Sequence, residues 1–192
     1  MDIQLLRTVW LLRHGQESRD RPQPLGGYLS DLGRQQAELT AQRLAEVPFT
    51  RIVASTLHRA TQTAQIVAAR HPHIEIEYTE DLWECAPSAP PGQEIFFPNL
   101  TLEAASACRD RLDRAFDRYF RDDGQGMTLL VAHGNVIRYL LCRVLDMPID
   151  AWARFDLFNC SLARVDWKTV LGRQVTGFND VGHLPWEMQT YG

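Results

Sequence analysis

The chain has 192 residues, 45% of them hydrophobic and 23% charged, enough for one compact domain with a sizeable core and too few for two comfortable ones. Its 20 basic residues stand against 24 acidic ones with no basic tract, so nucleic acid and an anionic membrane surface are excluded as expected partners. Any anion site must then be a local concentration of positive charge. The opening apolar stretch is interrupted by Arg7 and ended by Arg13, too short to span a bilayer and without a signal-peptide cleavage pattern. A cytoplasmic location is the default expectation. Cys85, Cys108, Cys142 and Cys160 show neither a C-x-x-C pair nor zinc spacing and read as free thiols in a reducing compartment.

In chain order, residues 9–12 form a short continuous apolar run, the pattern of a strand covered on both faces. Ala37, Ala41, Leu44 and Ala45 then share one helical face, with Ser30 or Asp31 as N-cap. A second apolar run at 52–54 is followed by the same spacing at Ala60, Ala64, Val67 and Ala68. Ile74, Ile76 and Tyr78 alternate with Glu75 and Glu77, as in a strand near a sheet edge. Residues 85–99 carry Pro87, Pro90, Pro91 and Pro98; the region 80–101 reads as an ordered loop over one end of the sheet. Cys108, Leu112, Ala115, Phe116 and Tyr119 mark a helix from about 102 to 121. A third apolar run at 127–132 precedes a broad apolar helical face from Val136 to Leu145, and two or three strands follow Phe155. The alternation predicts a single α/β domain over 1–192, a three-layer α/β/α sandwich whose central sheet is mostly parallel with an antiparallel strand.

Ligands of open α/β sheets bind beyond the carboxyl ends of the strands. Here the three apolar runs lead into Arg13-His14-Gly15, Ser55-Thr56-Leu57-His58-Arg59 and His133-Gly134-Asn135. If the strands are parallel, these tips converge. Two guanidiniums and two imidazoles make a poor cation site and a good one for a compact dianion, since arginine forks match phosphate oxygens. The free amides of the helix opened by Gly134 add to that site. A neutral imidazole attacks phosphorus and arginine does not; one histidine serves as nucleophile while the other steadies the equatorial oxygens. Alkoxide leaving groups need a proton, and Glu84 at the mouth of the proline-rich loop is the best donor, with Trp83 as an apolar wall and Glu17 and Asp81 as substitutes.

The motifs together resemble the histidine phosphatase superfamily, the phosphoglycerate mutase-like group: Arg13-His14-Gly15, Leu29-Ser30-x-x-Gly33-x-x-Gln36-Ala37, Ser55-x-x-x-Arg59-Ala60-x-Gln62-Thr63-Ala64, Leu82-x-Glu84 and His133-Gly134. Within it the chain is similar to the mitochondrial-type protein serine/threonine phosphatase branch. The resemblance there runs through Glu84-x-Ala86-Pro87, Asn135-Val136-Ile137-Arg138-Tyr139 and Phe178-Asn179-Asp180-Val181-Gly182-His183-Leu184-Pro185. It implies His14 as the phosphorylated residue, Arg13, Arg59 and His133 as the phosphate pocket, and Glu84 as the proton donor. It also implies phosphomonoester hydrolysis on a phosphorylated protein, peptide or metabolite, with no metal or organic cofactor.

The membrane anchor and assembly motif of that branch are not evident in the sequence, so a soluble relative is expected. Mutases carry an asparagine where this chain offers Asp20, and a longer insertion after the acid; both differences favour hydrolysis. The alternatives are a mutase-type phosphotransferase and a catalytically silent binding or scaffold protein. A homodimer is common in the family.

Gln16 and Asn135 either bond the phosphate or cap local turns. His58 reads as a surface residue, and His71, His73 and His183 have no partners at ligand spacing. Cys85 adjoins the candidate acid, but nothing in the sequence marks its thiol as reactive.

Overall fold

Residues 9–12 are apolar at every position because the strand they form is covered on both sides. A computed structural model describes residues 2–18, 26–121 and 125–191. Its sheet contains β1 (Leu5–Arg13), β2 (Arg51–Ser55), β3 (Ile76–Thr79), β4 (Gly126–Ala132), β5 (Leu162–Lys168) and β6 (Gly172–Asp180), in spatial order β3-β2-β4-β1-β5-β6. β2 pairs in parallel with β3 and β4, and β4 with β1. β5 is antiparallel to β1 and β6 antiparallel to β5, so β5 alone runs against the rest. The alternating segment lies at the edge as its pattern predicts, and the region after Phe155 supplies two strands.

Successive strand residues face opposite layers. Leu11, Val53 and Leu130 pack with α3 (Leu102–Tyr119) and α4 (Gly134–Val144), whereas Leu12, Ile52, Leu129 and Val131 pack with α1 (Asp31–Leu44) and α2 (His58–Ala68). The result is the expected three-layer sandwich. Each leucine so buried contributes roughly 1.5–3 kcal/mol; a charge at Leu11 or Leu12 would break one layer. Ser30 caps α1 by accepting a hydrogen bond from the Gly33 N–H at 2.9 Å, and Thr101 caps α3 through Ala104 N–H.

The cysteines require a correction. Cys85 and Cys108 form a disulfide between the loop after β3 and α3, while Cys142 and Cys160 are free and buried. A pairing across 23 residues has no local signature; it arises because α3 packs back beside the loop that precedes it. Asp20, the position at which mutases carry an asparagine, lies outside the described residues. Among them, no helix is long and apolar enough to cross a membrane.

Candidate active site

Strand register explains why the reactive tips meet. Arg13 pairs with Ala132 across β1 and β4, and Ala54 lies opposite Val131 across β2 and β4. His14, His133 and Ser55 therefore follow at one level of the sheet. The chain leaves β1 for α1 on one face and leaves β4 for α4 on the other. Adjacent strands whose helices depart to opposite faces open a crevice between their carboxyl ends. A cleft of about 730 Å³ lies there, lined by Arg13, His14, Gln16, Arg59, Glu84, Gly134 and Asn135 among others. Every expected site residue except His133 lines it; His133 is wholly buried, its ring centroid 5.0 Å from that of His14.

His14 is held through its backbone and its ring. Its N–H donates to Ala132 O at 3.0 Å, and its carbonyl accepts from the Cys160 N–H and the Asn159 Nδ2–H, each at 3.2 Å. In the ring, Nδ1–H donates to Gly15 O at 2.7 Å, and Nε2 accepts from the Arg59 Nε–H at 3.0 Å. That pair of bonds selects the tautomer with its lone pair on Nε2. Burial, then Arg59 and then Arg13, hold the pKa of His14 well below that of an ordinary imidazole. His133 is depressed likewise, by burial first and by His14 next; its Nε2 pairs with Ser55 Oγ at 2.9 Å. Both rings are neutral at neutral pH, and neutrality is what a nitrogen nucleophile needs.

The cationic wall is built differently on each side. Arg13 donates to Leu157 O through Nη1, while its Nε and His133 Nδ1 are buried without a hydrogen-bond partner among the described residues. The Arg13 Nε–H is a donor that an oxyanion satisfies, and His133 Nδ1 is a second in the tautomer whose Nε2 accepts from Ser55 Oγ. Arg59 also faces Glu17 Oε2 at 3.5 Å. Gly15 and Gly33 let the loop after β1 press onto α1: a Cβ on Gly33 would lie 2.1 Å from Gln16 O, and one on Gly15 would lie 2.4 Å from Gly33 O. Gln16 Oε1 accepts from Ser30 Oγ, so this side chain is partly committed to the turn.

Glu84 is partly buried opposite these cations. Burial raises its pKa, against the opposing pull of Arg59, Arg13 and the Asn135 N–H it accepts at the start of α4. Of the two substitutes, Glu17 lies in the cleft wall on Arg59, whereas Asp81 faces Arg114 at 3.7 Å.

The model of the histidine phosphatase superfamily (branch 1) matches residues 9–95 and 89–180. The chain belongs to that superfamily. A curated relative, the mitochondrial serine/threonine-protein phosphatase Pgam5 of Caenorhabditis briggsae, is 36% identical over 93% of this chain and 64% of its own length. This histidine phosphatase chain thus spans somewhat less than two thirds of that relative. Among solved structures, a putative alpha-ribazole-5'-P phosphatase from Escherichia coli aligns with a TM-score of 0.73 at 20% identity, covering 91% of this chain and 97% of that one. A phosphoglycerate mutase from Plasmodium falciparum aligns at 0.64 and 25% identity, covering 98% and 100%.

Several residues of this histidine phosphatase site escaped sequence reasoning. Asn159 is fully buried on the His14 carbonyl, and its Oδ1 accepts from Thr190 Oγ1 at 3.0 Å. Thr63 Oγ1 accepts the Gly15 N–H at 3.1 Å. Arg138 bonds Asn135 Oδ1 and Phe155 O, stacks over Trp152 at 4.8 Å and lines the cleft with Asp156 and Tyr191. Thr63 and Arg138 stand inside the quoted motifs without an assigned role; each sits one helical turn beyond the recognised Arg59 or Asn135, which could have given them one. Asn159 and Tyr191 had no such local signal.

Proposed function

We propose that the protein hydrolyses phosphomonoesters through a phosphohistidine at His14 and acts on phosphoserine or phosphothreonine in proteins, in the cytoplasm. The observation that carries this reading is the single guanidinium of Arg59 directed at Nε2 of a neutral His14, inside a cleft whose other wall holds a carboxyl with a raised pKa.

In the first step the Arg59 Nε–H passes from Nε2 to a phosphate oxygen, the freed lone pair attacks phosphorus, the P–O ester bond breaks, and Glu84 gives its proton to the leaving oxygen. Arg13 and Arg59 neutralise charge on the equatorial oxygens, and His133 steadies them from beneath. In the second step Glu84, now a carboxylate, takes a proton from water as its oxygen attacks phosphorus. The P–N bond breaks, inorganic phosphate leaves, and both residues return to their starting protonation. Each step uses side chains alone and calls for no metal ion or cofactor. The protein-substrate preference draws on the Pgam5 relatives, which are named serine/threonine-protein phosphatases.

The deciding experiment is a kcat/KM panel over phosphoserine and phosphothreonine peptides, phosphohistidine and sugar phosphates, run with and without chelator, beside a phosphoglycerate isomerisation assay. Phosphate release from the peptides, unchanged by chelator, supports the reading. Isomerisation without release overturns it in favour of a mutase, and inactivity on every ester would leave a binding protein.

A further inference from the structure

Glu84 is the one proposed catalytic group outside the strand tips and helix starts, on a segment with only short 3-10 turns at 80–82 and 94–96. Its position depends on what ties that segment down. Arg111 Nη2 on α3 donates to Trp83 O at 2.8 Å, and Arg109 Nη1 donates to Pro87 O at 2.7 Å. Between them the Cys85–Cys108 disulfide joins the residue next to Glu84 to the buried face of α3. The Cys85 N–H also donates to Glu84 Oε1 at 3.2 Å. Any movement of Cys85 therefore displaces both the backbone that carries the carboxyl and a hydrogen bond to it. The two arginine hydrogen bonds and the Asp81–Arg114 ion pair are non-covalent ties to α3, whereas the disulfide is covalent and can be opened chemically.

We propose that the Cys85–Cys108 disulfide is a thiol-exchange site that positions Glu84, so that its reduction slows turnover of esters whose leaving oxygen must be protonated. The proposal rests on Glu84 being the proton donor. Its reductant is a small thiol of the glutathione class. The external thiolate attacks the Cys85 sulfur, the more exposed of the two, and the bond to Cys108 breaks; Cys108 leaves as thiolate and takes up a proton. A second thiol attacks the mixed disulfide, releasing Cys85 as a thiol and one external disulfide. Two electrons pass to the protein, and an external disulfide reverses the exchange. The remaining thiols do not compete: burial pushes Cys142 up to about 11 and Cys160 up to about 12. In a reducing compartment such as the one proposed above, a disulfide is as a rule transient and catalytic or redox-sensing, whereas a persistent one belongs to an oxidising compartment.

The test uses the full chain, purified without reductant, before and after dithiothreitol. The substrates are a phosphoserine peptide, whose alkoxide needs a proton, and p-nitrophenyl phosphate, whose phenolate does not. Reduction is expected to lower kcat/KM for the peptide by about tenfold or more, part or all of the ~10²–10⁴ that general-acid catalysis supplies, and to change that for the nitrophenyl ester by less than about twofold. Oxidised glutathione should restore the first value, and Cys85→Ser should remain at the reduced level with or without thiol. An active enzyme with the same ratio of rates in both states overturns the proposal. So does finding all four thiols free in the fully active protein. If neither ester turns over in either state, the phosphatase reading has failed instead. The clamp is then read from amide exchange at residues 83–88, which reduction accelerates if the tie positions that segment and leaves unchanged if it does not.

Discussion

The Nε–H of Arg59 lies 3.0 Å from Nε2 of His14, and the same guanidinium is 3.5 Å from Glu17. One side chain thus bonds the ring nitrogen proposed to attack and depresses its basicity, and the same Nε also faces the Glu17 carboxylate. Arg59→Lys keeps a positive charge and loses the planar fork. We expect kcat/KM for p-nitrophenyl phosphate to fall by on the order of 10²–10³, as when one oriented donor is removed from an oxyanion site. His14→Ala should abolish turnover and leave no acid-labile phosphoenzyme in a rapid quench.

Glu84→Gln removes the donor in the first step and the base in the second. Rates on alkyl phosphates should drop by ~10²–10⁴. With p-nitrophenyl phosphate the first step survives and water attack stalls, so stopped-flow traces should show a burst of nitrophenolate followed by slow turnover. In the parent enzyme Glu84 must be protonated and His14 neutral. Because the carboxyl titrates above and the imidazole below its usual range, kcat/KM for alkyl esters should decline on the alkaline side as Glu84 ionises. That limb should vanish in Glu84→Gln.

Stability carries its own pH signature. His14 and His133 have folded-state pKa values below those of the unfolded chain. The unfolded state then binds more protons as pH falls through about 6.5, and stability should decline from there downward, by up to about 1.4 kcal/mol per pH unit for each group. Glu84 works the other way: its raised value lends stability at low pH that is lost as the carboxyl ionises. Urea unfolding between pH 5 and 8 should show a shallower acid-side decline in His133→Gln than in the parent.

Asn159→Ala strips the buried His14 carbonyl of one donor and leaves the part-buried Thr190 hydroxyl without its acceptor. A cost of about 1–3 kcal/mol is expected, seen as a lower urea midpoint, together with a fall in kcat larger than the change in KM. An unaltered kcat would contradict the positioning role.

Gly33→Ala tests the close approach of the catalytic loop to α1. The added methyl would meet Gln16 O and Gln16 N, at 2.1 and 2.8 Å, and backbone does not yield as a flexible side chain does. Destabilisation of roughly 1–3 kcal/mol and weaker phosphate inhibition should appear together.

The candidate site was unusually legible because its chemistry sits at the ends of continuous apolar runs. Arg13-His14, Ser55 through Arg59 and His133-Gly134 could each be read from the residue that stops a buried strand, and the fold places all three at one edge. Helix faces at Ala37, Ala60, Leu112 and Val136 followed from their spacing, and each proves to be buried. The free-thiol reading failed at Cys85 and Cys108, where no motif announces that the loop and α3 will meet.

Local pattern was enough to specify the elements, the layering and the residues able to grip a phosphate, since periodicity and strand ends are properties of near neighbours along the chain. Register and packing had to select the rest: which ring nitrogen of His14 carries the lone pair, the support of Asn159 from 145 residues away, and the bond beside Glu84. Those depend on side chains distant in the chain and brought within hydrogen-bonding or bonding reach only by the sheet and its two helical layers.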